Sequence, residues 1–409
     1  MSACPVWGRA AVPACAGLIW DSVFGFSRAL LDGHKRSGGS GLRHRRDRAS
    51  RREAAMADTE LFAHPDYPPP GHGRAWTART RDGAQLRFAS WRPTVKPVHG
   101  TILLVQGRAE FIERYGETVG ELRRRGFHVL AFDWRGQGGS QRFVSRARKG
   151  HVGRLRHYEA DLALAMTQMQ ERLPGPYFVL AHSMGAALCL DAARNDRLPV
   201  ARLVALAPML ELTIIEKPGR ASRLAGALFW LGFGKSFVPG GGDTAIATKP
   251  FEGNRLTGDP VRYARNSALS AAARHLSIGD PTIGWVRTAF RLMARLAEPH
   301  AAREVRVPTL VIAAGRDRIV STPAIERFAA RLKTGQALVL REARHEILME
   351  SDSIRAQFWA AFDAFIPGED AQLAAGADSA GEPRQRGLMQ RLAGGGEDAP
   401  APGGAASVP

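Results

Sequence analysis

One stretch limits what this chain can fold into more than any other: an apolar run that ends at a serine set between small residues. The run that starts at Tyr177 predicts a buried strand, and residues 186–190 predict a helix. The turn between them is Ala181-His182-Ser183-Met184-Gly185, with a small residue two places before and two places after the serine. This is the context of a nucleophile elbow, a sharp turn from a strand into a helix. The pattern predicts Ser183 as an exposed nucleophile, with the backbone N–H of Met184 directed at the same space.

Predicted strands and helices alternate along most of the remaining chain. Apolar or alternating runs predict further strands at residues 86–91, 101–105, 128–132, 203–207, 309–313 and 337–340. Helical periodicity predicts helices at residues 113–125, 158–173, 324–332 and 354–365. Strands that alternate with helices imply an α/β fold in which a mostly parallel, twisted sheet carries helices on both faces.

The alternation stops between residues 209 and 307. About 100 residues are too many for a loop, so we interpret this segment as an inserted helical cap or lid. We therefore predict a basic extension at 1–59, a core in two parts at 60–208 and 308–367, a cap at 209–307 and a tail at 368–409. The extension contains a Gly/Ser stretch and an arginine run, and the tail is rich in Gly, Ala and Pro, so both are expected to be disordered. Met56 is the expected natural start.

The net charge of +18 raises nucleic acid or an anionic membrane as a partner. Most of the basic residues are scattered arginines, with one dense run at residues 43–52, and no nucleic-acid motif is visible. We expect a solvated arginine-rich surface and no nucleic-acid partner; attraction to acidic lipid head groups is the main alternative. The three cysteines lack disulfide or metal spacing and fit a reducing compartment. We expect a cytoplasmic protein that can contact the inner face of the membrane peripherally.

A serine hydroxyl becomes a good nucleophile only when a base takes its proton and a carboxylate orients that base. Asp317 follows the strand predicted at 309–313, and His345 follows the last predicted strand. An acid and a histidine in this order after the serine, each just beyond a strand, favour Asp317 as the orienting acid and His345 as the base. Glu211 is a weaker candidate for the acid. His182 adjoins the serine but is expected to point away from it.

Acyl transfer also needs N–H donors for the oxyanion. Besides the N–H of Met184, we expect the N–H of Arg108 to serve, because Gly107 lets the loop after a predicted strand approach the substrate. Glu110 is expected either to brace this loop or to bind polar substrate, and a simple helix-start carboxylate is an equally good interpretation. The turn Asp133-Trp134-Arg135-Gly136-Gln137-Gly138 matches neither a P-loop nor a dinucleotide fingerprint and is interpreted as structural.

The predicted cap contains an apolar segment, Leu228-Phe229-Trp230-Leu231-Gly232-Phe233, preceded by Arg220 and Arg223. A segment of this kind can contact a membrane or an acyl chain, or it can simply pack the cap onto the core. We expect Trp230 and Phe233 to contribute to the apolar wall that binds the substrate.

With these residues placed, the chain from about residue 75 to about residue 365 resembles the α/β-hydrolase superfamily. Within it, the chain is similar to the branch of bacterial lysophospholipases and monoacylglycerol lipases, which is grouped with serine aminopeptidase-like hydrolases. The resemblance is carried by Gln106-Gly107-Arg108-Ala109-Glu110, the turn at Asp133, the elbow at Ser183, Gly315-Arg316-Asp317-Arg318-Ile319-Val320 and Ala343-Arg344-His345-Glu346. Two cap motifs look specific to the lysophospholipase branch: Asn254-Arg255-Leu256-Thr257 and Gly279-Asp280-Pro281-Thr282.

The resemblance implies a hydrolase that uses Ser183, His345 and Asp317 on a single-chain acyl ester, with no metal or organic cofactor. The implied substrate is a lysophospholipid or monoacylglycerol whose chain lies under the cap. Gln106 departs from the His-Gly of many relatives, which leaves the substrate contacts of its loop open. The alternatives are a carboxylesterase or serine peptidase with small substrates, a catalytically idle fold used for binding, and nucleic-acid binding by residues 1–55.

Overall fold

The structure, a computed structural model, describes residues 57–145 and 148–367. The predicted disorder of the tail, the start at Met56 and most of the predicted extension lie outside these residues. The last part of that extension, Ala57–Thr59, is an ordered strand rather than a disordered segment. It pairs with the open edge of the next strand, which supplies its backbone hydrogen bonds.

A nine-stranded sheet forms the centre of the described chain. Its strands are β1 (Ala57–Thr59), β2 (Arg74–Arg79), β3 (Gln85–Trp91), β4 (Gly100–Val105), β5 (Phe127–Phe132), β6 (Tyr177–His182), β7 (Arg202–Leu206), β8 (Thr309–Ala314) and β9 (Gly335–Leu340). In space they follow the order β1-β2-β3-β5-β4-β6-β7-β8-β9. The pairs from β1 to β5 along this order are antiparallel, and all later pairs are parallel. β4 and β8 are buried over their whole length, which explains their continuous apolar sequences.

Helices pack on this sheet and form the insertion. They are α1 (Gly116–Arg124), α2 (Leu155–Arg172), α3 (Ser183–Arg194), α4 (Pro218–Trp230), α5 (Pro260–Ala272), α6 (Ile283–Ala297), α7 (Ala301–Glu304), α8 (Thr322–Ala329) and α9 (Asp352–Phe365). α1 packs on β5, α3 on β6 and β7, and α8 on β8 and β9. The predicted fold class is confirmed: an α/β fold with a mostly parallel sheet, helices on its faces and an inserted helical cap.

Two elements differ from the predicted ones. The sequence does not predict β2, because only Trp76 and Ala78 of this strand are buried and the alternation is short. The helix predicted at 113–125 begins as a 3₁₀ turn at Ile112–Tyr115 and continues as α1. Gly126 follows it with a φ of 80°, a left-handed conformation that glycine adopts readily at a helix end.

The cap lies in the chain between β7 and β8 and contains α4, α5, α6 and α7. α4 packs against α6, and α6 packs against α3 and α2 of the core. Thr282 begins α6 by accepting the N–H of Trp285 on its side-chain oxygen. Across residues 57–145 and 148–367, every helix is too short or too polar to cross a membrane.

Candidate active site

Ser183 begins α3 directly after β6. Its φ of 51° puts a residue with a side chain in the left-handed region. Such a conformation costs on the order of 1–3 kcal/mol and is typical of strained functional turns. A Cβ added at Gly185 would lie 2.4 Å from the backbone oxygen of Gln106, so glycine is required there. The turn therefore has the sharp geometry that the small residues around the serine predict. Ser183 itself is only 8% exposed, in contrast to the exposed position expected from the sequence, because His345 packs against its hydroxyl.

The structure brings the three predicted triad residues together at one edge of the sheet. Nε2 of His345 lies 2.9 Å from Oγ of Ser183, and Nδ1 of His345 lies 2.8 Å from Oδ2 of Asp317. Asp317 follows β8, His345 follows β9, and Ser183 follows β6. Because these strands are parallel, their carboxyl ends meet at the same edge, which is where α/β folds carry their sites.

The carboxylate of Asp317 is held in its charged form and in one orientation. Burial by itself would raise its pKa, but the charge and hydrogen bond of His345 lower the pKa below the ordinary value. The N–H groups of Ile319 and Val320 assist by donating to Oδ1 at 2.8 and 3.0 Å. A carboxylate at Nδ1 favours the tautomer in which Nε2 of His345 is free to accept the serine proton.

Two backbone N–H groups beside the elbow lack an acceptor among the described residues: those of Arg108 and Met184. Met184 lies in the first turn of α3, where helix N–H groups have no intrahelical partner. The loop of Arg108 reaches the same place, since Gln106 packs against Gly185. The assignment of these two N–H groups as oxyanion donors stays a prediction.

Glu110 lies beneath this loop and is only 4% exposed. Its Oε2 accepts hydrogen bonds from the N–H of Gly107 and from the hydroxyl of Tyr115, both at 2.5 Å. Its Oε1 lies 2.7 Å from Nδ1 of His182. Both carboxylate oxygens are thus engaged inside the protein. Of the expectations for Glu110, the geometry matches a brace for the loop and not a contact with polar substrate.

His182 points away from Ser183, as expected, and connects two loops. Its Nε2 lies 3.0 Å from the backbone oxygen of His345, while its Nδ1 faces Glu110. Burial opposes a charge on this ring, but the carboxylate of Glu110 outweighs burial and raises the pKa of His182 to about 9. His182 and Glu110 therefore form a buried ion pair between the loop of Arg108 and the loop of His345.

Sequence reasoning missed several residues of this buried network. Arg114 donates from Nη2 to both carboxylate oxygens of Glu346 at 2.9 Å, and both side chains are buried. Glu346 directly follows His345 in the loop after β9, residues 341–346, which we call the histidine loop. The pair therefore fixes the histidine loop against the 3₁₀ turn after β4. The partners are 232 residues apart in the chain, and no local pattern signals such a contact. Tyr115, the hydroxyl partner of Glu110, carries no signal either.

The turn interpreted as structural supports the loop after β4 from behind; this loop, residues 106–110, is the predicted oxyanion loop. Gln137 donates from Nε2 to the backbone oxygens of Gly107 and Glu110, both at 2.9 Å. Asp133 accepts the N–H of Ile112 at 3.1 Å and the Nε–H of Arg87 at 2.8 Å. These contacts join the turn to β3 and to the chain that follows β4.

The two cap motifs contact the same two loops. The backbone oxygen of Leu256 accepts the N–H of Glu346 at 2.8 Å, and Thr257 donates its hydroxyl to the backbone oxygen of Met349 at 2.7 Å. On the other side, Arg108 donates from Nη2 to the backbone oxygen of Gly279 at 2.7 Å. The cap is thus attached to the histidine loop by one motif and to the oxyanion loop by the other.

An apolar cleft of about 320 Å³ lies between α4 and α6 of the cap. Its walls include Leu212, Ile215, Ala221, Leu224, Leu228, Trp285, Phe290 and Met293. Leu212 forms an antiparallel bridge with Val320, close to Asp317. The ring of Trp285 lies 5.0 Å from the guanidinium carbon of Arg108. The cleft therefore borders both the loop that carries Asp317 and the oxyanion loop.

Trp230 and Phe233 do not line this cleft, in contrast to the expectation from the sequence. Their residues are 77% and 51% exposed. The helical period explains the difference: α4 turns Ala221, Leu224 and Leu228 toward α6, which leaves the aromatic residues at its end on the outer surface. Glu211, the weaker candidate for the acid, is also outside the site and lies 3.7 Å from Arg327 at the surface.

Comparison with known proteins identifies the family of this chain and relatives of similar sequence. The chain matches the family described as serine aminopeptidase, S33, over residues 96–352. Lysophospholipase L2 of Escherichia coli K12 is 33% identical over 291 residues, which cover 67% of this chain and 82% of that protein. Probable lysophospholipase L2 of Haemophilus influenzae is 27% identical over 281 residues, which cover 68% of this chain and 88% of that protein.

Solved structures show the same fold. The crystal structure of a soluble variant of monoglyceride lipase from Saccharomyces cerevisiae in complex with a substrate analog superposes with a TM-score of 0.56. The superposition covers 75% of this chain and 94% of that one, at 17% sequence identity. Likeness at this identity concerns the fold, and the chemistry has to be argued from the residues.

Proposed function

The chain belongs to the family described as serine aminopeptidase, S33, and is a hydrolase of the α/β type; on that premise we propose that it is a serine hydrolase of single-chain lipid esters. The substrate would be a lysophospholipid or a monoacylglycerol. One observation carries the proposal: His345 lies within hydrogen-bond distance of both Ser183 and Asp317, beside an apolar cleft.

The first half of the reaction transfers the acyl group to the enzyme. Oγ of Ser183 attacks the ester carbonyl carbon while Nε2 of His345 takes the hydroxyl proton. The N–H groups of Arg108 and Met184 donate to the oxyanion that forms, and Asp317 stabilises the charged imidazole. When the intermediate collapses, the ester C–O bond breaks and His345 returns the proton to the leaving alcohol.

The second half releases the fatty acid. Water attacks the acyl-serine carbonyl while His345 takes one of its protons, and the same two N–H groups hold the second oxyanion. Collapse of this intermediate returns the proton to Oγ of Ser183 and frees the carboxylic acid. Loss of one oxyanion donor typically costs about 10²–10³ in rate, so the backbone geometry of these two N–H groups is part of the proposed mechanism.

The cleft supports a lipid substrate over a small polar one. Its walls are apolar and its volume of about 320 Å³ suits a hydrocarbon chain. It borders the oxyanion loop through Trp285 and Arg108, so a chain in the cleft would have its ester near Ser183. The relatives named lysophospholipase L2 support the same class. A carboxylesterase or peptidase with small substrates would gain nothing from such a cleft.

The outer face of the cap supports peripheral contact with an anionic membrane. Trp230, Leu231 and Phe233 are all more than half exposed. α4 contains Arg220 and Arg223 and no acidic residue. Exposed aromatic and aliphatic side chains beside arginines are typical of surfaces that bind the membrane interface. Such contact would bring the cleft to the lipids that it accepts.

The test is turnover of lysophosphatidylcholine, lysophosphatidylethanolamine, monoacylglycerol and a short p-nitrophenyl ester by wild type and Ser183→Ala. We expect turnover of the single-chain lipids and a loss of roughly 10⁴-fold or more in the variant, because no other group replaces the nucleophile. Ser353→Ala, an exposed serine of α9, serves as the matched control and should retain activity.

The other outcomes would contradict different parts of the proposal. Turnover of the short ester alone would keep the serine mechanism and contradict the lipid substrate. If nothing turns over and a fluorophosphonate probe fails to label Ser183, the fold acts as a binding module and the proposal is wrong.

A further inference from the structure

The side chain of Arg108 lies between the oxyanion loop and the cap. Its Nη2 donates to the backbone oxygen of Gly279 at 2.7 Å, and its guanidinium carbon lies 5.0 Å from the centre of the Trp285 ring. Gly279 belongs to a cap motif, and Trp285 lines the apolar cleft. The hydrogen bond and the ring hold the guanidinium at the border of the cleft, which reduces the entropy lost when it binds a ligand.

The charge of this guanidinium is only partly compensated. Arg108 forms no ion pair with any residue of the described chain. The carboxylate of Asp280 attracts it without forming an ion pair, and one oxygen of that carboxylate accepts the N–H of Gly242 at 2.9 Å. Burial lowers the pKa of Arg108 to about 10, although Asp280 and Tyr158 act in the opposite direction. Arg108 is therefore still a cation at neutral pH.

Arg108 also has an unsatisfied donor. Its Nε is enclosed and has no hydrogen-bond acceptor among residues 57–145 and 148–367. A buried donor without an acceptor is unfavourable, and the oxygen of an anionic ligand would satisfy both the donor and the charge. The planar fork of a guanidinium matches the geometry of a phosphate, which can accept two of its N–H groups at once.

The distance from this charge to the reacting ester is limited by the length of one side chain. The backbone N–H of Arg108 is a predicted donor to the ester oxyanion, so the guanidinium lies within one side-chain length of the reacting carbonyl. In a lysophospholipid the ester and the phosphate are attached to the same glycerol, which keeps them a few bonds apart. A monoacylglycerol has a neutral hydroxyl in place of the phosphate and gains little from a cation.

We propose that the guanidinium of Arg108 binds the phosphate of a lysophospholipid and makes this substrate preferred over a monoacylglycerol. This role rests on the proposed function, because it requires that the ester reacts at Ser183. The alternative is a purely structural role in which Nη2 only attaches Gly279 of the cap to the oxyanion loop. A structural role affects all substrates alike, whereas a phosphate contact affects only the substrates that carry a phosphate.

The first test compares kcat/KM for lysophosphatidylethanolamine and for a monoacylglycerol with the same acyl chain, in mixed micelles with a neutral detergent. Arg108→Met keeps the backbone N–H and removes the charge, while Arg108→Lys keeps the charge without the planar fork. The ratio of the two kcat/KM values should fall at least about tenfold in Arg108→Met and by less in Arg108→Lys. Arg81→Met removes one charge at an exposed position and should leave the ratio unchanged.

The kinetic constant that changes also separates the two roles. The phosphate has the same charge in the substrate and in the transition state, so loss of its contact should raise KM for the lysophospholipid and leave its kcat nearly constant. A distorted oxyanion loop would instead lower kcat for both substrates. An unchanged ratio of the two kcat/KM values in Arg108→Met would overturn the proposal.

The second test decides the matter without lipid turnover. Glycerol 3-phosphate should inhibit hydrolysis of a short p-nitrophenyl ester, glycerol should not, and the inhibition constant should rise at least about tenfold in Arg108→Met. If wild type hydrolyses no lipid but is inhibited in this way, the phosphate site stands and the lipid substrate of the proposed function is wrong. If wild type hydrolyses no lipid and the inhibition is absent or equal in both proteins, the phosphate site is wrong as well.

Discussion

His182 and Glu110 are a buried ion pair that no substrate needs to touch. The pair joins the loop that carries the Arg108 N–H to the backbone of His345, so it fixes the spacing between two loops of the candidate site. A buried pair of this kind is stabilising only while both partners are charged, because an unpaired buried charge is costly. The free energy of unfolding should therefore depend on the protonation of His182.

The expected pH dependence follows from the raised pKa of His182. Its stabilising contribution is fully present below its unfolded pKa of about 6.5 and is lost as the pH rises through about 9. Urea unfolding of wild type between pH 6.5 and 9.5 should show a decline of a few kcal/mol that Glu110→Gln lacks, because the variant has no carboxylate to raise the pKa.

Tyr115→Phe is the matched control for this experiment. It removes another hydrogen bond to Glu110 but keeps the carboxylate, so the pH-dependent decline should persist. A decline of equal size in wild type and in Glu110→Gln would contradict the ion pair.

α4 has two faces with different surroundings. Ala221, Leu224 and Leu228 face the cleft, while Trp230 at its end lies on the outer surface. The spacing of these residues follows the helical period, so one short element can line a substrate cleft and present an apolar outer surface. Substitutions on the two faces should therefore have separable effects.

Filling the cleft should change chain-length preference. Ala221→Trp adds a large side chain to the cleft wall and should lower turnover of long-chain monoacylglycerol at least about tenfold, while short p-nitrophenyl esters, which need no cleft, retain their rate. Turnover is measured across a series of acyl lengths. Ala227→Trp, an exposed position of the same helix outside the cleft lining, is the control. Parallel losses for every chain length would argue against this cleft as the acyl site.

The molecule as a whole has a high positive net charge and exposes apolar side chains on its cap. On the proposed membrane contact, the net charge of +18 would attract the protein to anionic surfaces over a range set by ionic strength. The exposed residues around Trp230 and Phe233 offer apolar area that can enter the membrane interface. Charge should set the salt dependence of vesicle binding, and the aromatic residues should set its strength.

The variant Trp230→Ser/Phe233→Ser should bind phosphatidylglycerol-containing vesicles at least about tenfold more weakly, since each apolar side chain that is buried contributes about 1.5–3 kcal/mol. Vesicle co-sedimentation at low and high salt measures the effect. Val95→Ser/Val261→Ser removes exposed apolar side chains elsewhere and should bind like wild type. Unchanged binding of the aromatic variant would show that this surface is not the docking face.

Much of the architecture can be predicted from the sequence because it depends on local rules. Apolar runs identify β4, β6 and β8, which are buried in the parallel sheet. β2 escapes prediction because only two of its residues are buried. The alternation of strands and helices then limits the topology, and the carboxyl ends of the strands locate Ser183, Asp317 and His345 at one edge.

The sequence by itself determined the elbow, the positions of Asp317 and His345 beyond two strand ends, and the presence of an insertion, since steric limits and periodicity act over a few residues. Only the tertiary structure decided that Glu110 pairs with His182, that Arg114 reaches Glu346, and that α4 turns its aliphatic face to the cleft. The physical reason is the separation along the chain of the residues that interact. Side chains that are far apart in the chain are buried next to each other only after the strands have taken their register. The free energy of a buried charge depends on the groups that are buried beside it.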